Sequence, residues 1–268
     1  KGLIDADYKE ITLLGQNVNS YGGKNQESRI KVHDSKLEII NFKNNSEFVE
    51  LLQKIDNLET DAWFRFYANH PKDFSDELID FLKDSKHFCH YIHLPLQSGD
   101  DEILKKMNRH YTAEQYLKII DKIKKKIPDC VLATDIIVGF PGESKEAFQN
   151  TVKTLEKVGF DMIFISEYSP RSGTVAAKME DDVPHEEKER RKKYLNDEVL
   201  AKSLLQNNKK LIGKTIRVLV HKKSKAGMLA GRNYGLKDIS FRGDENLIGK
   251  FVNIKITKAE RWGMEGEI

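Results

Sequence analysis

Cysteine is almost missing from this chain: Cys89 and Cys130 are the only two among 268 residues. They stand forty-one residues apart, each inside an apolar run, so neither a disulfide framework nor a CxxC metal site can be built from them. Both read as core thiols, and no metal ligand is expected among these residues. Long apolar runs are missing too. No stretch approaches the roughly 18 consecutive apolar residues of a membrane-spanning helix. The opening residues, KGLIDADYKE, lack the basic, apolar and small-residue zones of a signal peptide. The cytoplasm is the expected address, with no membrane partner. No Ser-His-Asp, HExxH or Walker pattern occurs, so hydrolase and NTPase readings have no motif behind them. The sequence by itself names no catalytic residue.

What is present is an ordinary globular composition, 39% hydrophobic, with enough length for one large domain and a small one. The net charge of +3 hides an asymmetry, because residues 209–268 hold 14 Lys or Arg against 6 Asp or Glu. That end carries +8 and the rest −5. Such a skew is the footprint of a nucleic-acid contact, and equally of a solvated charged face.

From residue 10 to about 170, short β-branched runs alternate with stretches of helical period, the pattern of βα units around a parallel sheet. Five strands are predicted, at 10–15, 62–67, 89–96, 131–140 and 161–169. Helices are expected after Ser46, after Ser75, after Thr112 with Gln115 completing a capping box, and over ESKEAFQNTVKTLEKV, stopping at Gly159. Residues 22–45 are polar and aperiodic and read as a long loop. The chain opens close to a strand, without an initiator Met, and is expected to be a fragment that has lost a first strand.

Pro184 begins a highly charged helical stretch in which Leu195, Val199, Leu200 and Leu204 form one apolar stripe while the remainder is solvated. After Gly213 come short alternating strands separated by Gly, Asn and Asp, predicting a small antiparallel barrel of about five strands. The expected domains are therefore 1–183, a connector helix at 184–208, and 209–268.

In parallel βα architectures ligands bind beyond the C-terminal strand ends, and each predicted strand here runs into a polar cluster. Gln16, Asn17 and Asn19 carry amides able to read an amino acid or a nucleoside edge, or they build a turn. Gly139, Pro141 and Gly142 let backbone N–H groups approach a ligand, or form a tight strand-to-helix turn. His70, His93 and Arg171 are candidate contacts, and each His can equally be a structural hydrogen-bonder.

Six ordered pieces, GQNVNSYG, NHP, HLPLQSG, KKMNRHYT, TDIIVGFPGE and YSPRSGTVAAKM, resemble the MiaB-type tRNA methylthiotransferases, and the C-terminal strands resemble their TRAM domain. The resemblance implies an α/β fold: a partial (βα) barrel of the radical S-adenosylmethionine (SAM) type with parallel strands, then an OB-like TRAM barrel. It implies SAM as cofactor and two 4Fe-4S clusters in the full-length family, whose cysteine ligands are absent from this chain. It implies tRNA as partner, methylthiolation of carbon 2 of N6-isopentenyladenosine beside the anticodon, an electron donor such as flavodoxin or ferredoxin, and a monomer. Sibling activities on threonylcarbamoyladenosine or a ribosomal protein, and a non-catalytic RNA-binding protein, are the alternatives. Carried over by position, Gln16, Asn17, Gln97, Ser98, Asp135, Gly139 and Glu143 become expected SAM contacts. Asn19 and Arg171 are expected near the substrate. Arg217, Lys222, Lys223, Arg232, Lys250 and Arg261 are expected phosphate contacts.

Overall fold

The computed structural model describes residues 1–14, 46–67, 70–224 and 227–268. Gln16, Asn17 and Asn19 and the loop predicted at 22–45 lie outside the described residues. After a one-turn helix α1 (Gly2–Asp5) come five parallel strands, β1 (Glu10–Leu13), β2 (Trp63–Phe66), β3 (Tyr91–His93), β4 (Val131–Val138) and β5 (Met162–Glu167). β1 pairs with β2, and β3, β4 and β5 pair in turn. The Phe64–Phe88 parallel bridge joins the two groups, with Cys89 N donating to Phe64 O at 2.8 Å. The strands thus follow one another in chain order, as short right-handed βα connections require.

Strand alternation gives the sheet two faces. Phe64, Phe66, Ile92, Leu132 and Ile136 point to one side and are buried beneath four helices. These are α2 (Ser46–Asp56), α3 (Asp76–Asp84), α5 (Ala113–Lys126) and α6 (Lys145–Val158), whose Leu52, Leu78, Ile120 and Phe148 complete the core. The start signals operate as the sequence suggests. The Ser75 hydroxyl accepts from Leu78 N, and Thr112 and Gln115 satisfy one another's backbone donors. Gly159 ends α6 at φ 67°, a left-handed turn that a side chain would oppose. An additional short helix, α4 (Asp101–Lys106), is started by the Asp100 carboxylate accepting from Ile103 N.

The charged stretch after Pro184 folds as α7 (His185–Tyr194), a wide π-type turn at Leu195–Leu200, and α8 (Ala201–Lys209). Leu195, Val199, Leu200 and Leu204 join the main core as the stripe predicts. The expectation that the remainder is solvated needs correction, because Lys188 and Arg191 are also buried. Each has a carboxylate partner, the exposed Asp181 for Lys188 and the buried Glu143 for Arg191, which is what allows a charge to leave water.

The last unit is a closed barrel of β6 (Thr215–Lys223), β7 (Leu229–Asn233), β8 (Asp238–Phe241), β9 (Phe251–Ala259) and β10 (Met264–Glu267), ordered β10-β8-β7-β6-β9. It is not wholly antiparallel, since β10 pairs parallel with β8. A ring of five strands makes this unavoidable: the four antiparallel pairings leave β10 running in the same direction as β8, so the closing pair is parallel. Val218, Val220, Ile239, Phe241, Ile254 and Met264 fill the interior. A Cβ at Gly231 would lie 2.5 Å from Leu219 O, so only glycine allows the strands to close there.

This barrel docks against the face of the parallel sheet turned away from those four helices. Trp63, Tyr91, Val131 and Ala133 pack with Leu219, Tyr234 and Phe251, and the Trp63 and Phe251 rings meet edge to face at 4.6 Å. Arg65, buried beside them, pairs with Glu10 and donates to Tyr234 O at 3.1 Å. The Lys237 ammonium bridges Asp161 and Asn208, each at 2.7 Å.

Candidate cofactor site and nucleic-acid surface

The sheet face that carries the docked barrel continues past it toward the C-terminal strand ends. There His93 on β3 and Asp135 on β4 meet, with Nε2 2.9 Å from Oδ1, an N–H donating to the carboxylate. The His93 ring stands edge to face against Tyr67 at 6.0 Å and Phe164 at 5.6 Å. Phe164 is 49% exposed although it lies on a sheet strand, so among the described residues nothing covers this edge of the aromatic and carboxylate patch. His70, by contrast, accepts from Lys72 N and caps the turn at Pro71–Asp73. Burial is the main cause pushing its imidazole pKa down, with Arg109 adding to the effect.

Beyond β3 the chain crosses to β4 a second time. Gln97 N donates to Asp135 O at 2.8 Å and Ile137 N donates to Gln97 O at 3.0 Å, with Gln97 itself at φ 71°. Ser98 turns away from the strand ends and is buried under α6, where its hydroxyl lies 3.3 Å from that of Thr151 and accepts from Asp100 N. Gly99 allows that approach, since a Cβ there would be 2.6 Å from Thr151 Cα. Ser98, placed by its sequence position among the cofactor contacts, therefore sits in helix packing.

Gly139 has φ 70°, and what approaches it is the Lys188 stem: a Cβ at Gly139 would fall 2.3 Å from Lys188 Cγ. The Lys188 ammonium is held by Asp181 at 2.6 Å. Glu143, four residues past Gly139, is fully inside the protein. Its Oε2 accepts from Gly139 N at 2.6 Å and from Arg191 Nη1 at 2.7 Å, while Arg191 also donates to Glu143 O at 2.8 Å. Burial pushes the Glu143 carboxyl pKa up, opposed by the Gly139 N–H and by Arg191. The strand-end turn is thereby fastened to α7 by a charge-assisted network. Two buried polar atoms at these strand ends have no hydrogen-bond partner among the described residues, Glu143 Oε1 and the Tyr168 hydroxyl. Asp135 and His93 supply polar groups beside the Tyr67 and Phe164 rings, a set that fits the hydroxyls and flat purine of an adenosyl group.

An iron–sulfur cluster does not fit the cysteines present. Cys89 is buried beneath the docked barrel with Arg65 Nη2 3.5 Å from its sulfur, and Cys130 donates to Val131 O at 3.7 Å. Burial raises both thiol pKa values, disfavouring the thiolate that a metal requires. Among the described residues no group of three His, Cys, Asp or Glu could hold a metal ion.

The basic candidates divide by what already holds them. Lys223 pairs with Glu245, and Arg232 Nε donates to Asp238 at 2.7 Å. Arg217 lies flat on the Phe251 ring, with Cζ 3.8 Å from its centroid, and Nη2 donates to Asp61 O at 3.3 Å. Lys222, Lys250 and Arg261 are exposed, as is Arg171 in the turn after β5. The sequence reading missed Tyr67, Phe164, Lys188 and Arg191. For Phe164 a signal existed, a large aromatic on the alternate position of a strand whose other side is apolar.

The radical SAM superfamily model matches residues 3–155, and the TRAM domain model matches residues 209–268. The chain is 45% identical to a tRNA-2-methylthio-N(6)-dimethylallyladenosine synthase from Thermoanaerobacter sp. over 270 residues, covering 100% of this chain and 54% of the relative. It is 45% identical to the protein of that name from Clostridium botulinum strain Langeland, over 100% of this chain and 56% of the relative. A third of that name, from Acetivibrio thermocellus, is 43% identical over 97% of this chain and 51% of its own length. The chain thus spans about half the length of the curated relatives it matches. It belongs to the radical SAM superfamily and ends in a TRAM domain.

Proposed function

We propose that this chain is the cofactor-handling and RNA-holding part of a tRNA methylthiotransferase acting on carbon 2 of N6-isopentenyladenosine beside the anticodon. The observation that carries this reading is identity of 45% along the whole chain to synthases of that modified nucleoside, combined with an open carboxylate and aromatic patch at the strand ends. Residues 1–183 form the catalytic unit, 184–208 the connector and 209–268 the RNA-binding unit. A monomer in the cytoplasm, served by a reductant such as flavodoxin or ferredoxin, completes the proposal.

When bound, SAM supplies the methyl group and the one-electron chemistry that activates carbon 2. The residues of this chain orient it. Asp135, held by His93, accepts from ribose hydroxyls; Tyr67 and Phe164 offer flat faces to the purine; the Gly139 turn, fixed through Glu143, borders the adenine side. Gln16 and Asn17 take the amino acid end, and Gln97 acts through its backbone link to Asp135. Asn19 and Arg171 are assigned to contacts with the substrate nucleoside. Lys222, Lys223, Arg232 and Arg261 add phosphate contacts that position RNA without reading sequence. The thiolates that would hold a cluster are not among these 268 residues, and the chain alone is expected to give no turnover.

The test uses the full-length protein, anaerobically reconstituted, with SAM and tRNA bearing N6-isopentenyladenosine. Nucleoside mass spectrometry should detect the 2-methylthio product. A product formed only on threonylcarbamoyladenosine tRNA, or on a ribosomal protein, would replace the substrate assignment.

A further inference from the structure

Where β1 and β2 begin, at the end of the sheet opposite the Gly139 turn, a cleft of about 370 Å³ separates the parallel sheet from the small barrel. Lys9 and Asp61 come from the sheet side, and Arg217, Lys250, Phe251 and Asn253 from the barrel side. Neither unit forms it alone. Three cations, Lys9, Arg217 and Lys250, line it together with the Asp61 carboxylate, and their states differ. Lys9 is neutralised by Asp7 at 2.7 Å and by Asp61 at 3.2 Å. Arg217 lies over the Phe251 ring, with Cζ 3.8 Å from its centroid, and is 5.9 Å from the Trp63 ring that packs against Phe251. Among the described residues only Asp61 engages its donors, through O at 3.3 Å and Oδ2 at 3.7 Å. Lys250 is exposed, and its ammonium has no hydrogen bond or ion pair among the described residues.

A guanidinium stacked on an aromatic ring has already lost its rotamer freedom and presents a flat edge of donors suited to two phosphate oxygens. Lys250 adds a mobile point charge beside it. Asp61 is a weak competitor for Arg217, because at 3.7 Å its carboxylate is beyond hydrogen-bond distance.

We propose that this cleft seats a phosphodiester of a polynucleotide backbone, which displaces the Asp61 carboxylate from Arg217 and takes Lys250 as its second cation. This rests on the RNA-binding reading above and deepens it: the anchoring phosphate is held at the junction of both units, away from the cofactor end, and Asp61 restrains affinity from within.

The experiment measures binding of a labelled tRNA anticodon stem-loop to the 268-residue chain by fluorescence anisotropy across a salt series. Lys250→Ala should weaken binding several-fold and reduce the salt slope by about one. Asp61→Asn should tighten binding, an effect that loss of a merely structural residue would not give. Lys125→Ala, on the exposed side of α5, should change neither. Adenosine monophosphate is titrated in parallel. If it binds with Lys250 dependence while RNA binding ignores Lys250, the seat takes free nucleotides and the proposal is overturned. If the wild-type chain binds RNA and both Lys250→Ala and Asp61→Asn match it, the cleft proposal falls and the RNA-binding reading stands. If the wild-type chain binds no RNA at any salt concentration, that reading fails and the cleft falls with it.

Discussion

The two faces of the parallel sheet are built by alternate residues of the same strands, yet they do different work. Toward the helices stand Phe64, Phe66, Ile92, Leu132 and Ile136, with the buried Thr134 among them satisfied by donating to Leu94 O at 2.9 Å. Toward the other side stand Trp63, Arg65, Tyr91, His93, Asp135 and Phe164, of which the first three are covered by the docked barrel and the last is half exposed. The helix side is selected by burial, which rewards volume and shape. The other side keeps polar groups, Arg65 beneath the docked barrel and His93 with Asp135 at the strand ends, and the proposed cofactor site lies on this side. Charges divide in a parallel way. In the large unit Glu143, Arg191 and Lys188 are buried and paired, whereas the TRAM surface carries exposed cations such as Lys222 and Lys250. Buried pairs fix architecture, while exposed cations give salt-dependent affinity.

The sharpest break of this comparison pairs two phenylalanines. Phe148→Ala, in the helix-side core, should cost about 3–5 kcal/mol in urea unfolding. Phe164→Ala, on the open face, should change stability within about 0.5 kcal/mol while lowering the affinity of the full-length enzyme for SAM. Equal stability losses would erase the distinction between faces.

Next comes Arg191→Met, which leaves the Glu143 carboxylate buried beside Gly139 N without its cation. A loss of about 3 kcal/mol is expected, at the lower end for a broken buried pair because Glu187 stands partly in solvent and can relax. Adding Glu143→Gln should recover part of it, since the uncompensated charge is then gone. A single variant as stable as the wild type would show that α7 is not fastened to the strand-end turn.

A smaller effect is expected at the start of α5. Thr112→Ala removes one arm of the capping box and should cost about 1 kcal/mol, read as a lower urea midpoint.

The last prediction concerns acid. Hydrogen bonding first to Arg190 and then to Arg191 lowers the Glu187 carboxyl from 4.5 to about 2. A depressed folded value means that its stabilisation is present above pH 4.5 and is lost as pH falls toward 2. Glu187→Gln should therefore lower stability slightly at neutral pH and flatten the stability curve within that window, so that variant and wild type converge in acid. Parallel curves for the two proteins would remove Glu187 from the acid response.

Much of the fold was legible locally. The strand cores at Val131–Val138 and Thr215–Lys223, the Thr112 capping box and the Gly159 stop depend on neighbours within a few residues, which a sequence displays directly. The site was legible as a set of strand-end clusters but not as contacts. His93 and Asp135 are 42 residues apart and meet only through the β3–β4 register, and Glu143 finds Arg191 48 residues on. Arg191 lies in a run of charges with no apolar period, so nothing local distinguishes it from solvated neighbours such as Arg190. The direction of Ser98 was not legible for a related reason: it is set by how closely Gly99 lets α6 approach, a tertiary fact.

The most direct test of the functional account is nucleoside analysis of tRNA from cells in which the gene encoding this chain has been deleted. The account predicts that 2-methylthio-N6-isopentenyladenosine disappears and unmodified N6-isopentenyladenosine accumulates in its place. Persistence of the methylthio nucleoside at its normal level in the deletion strain would contradict it.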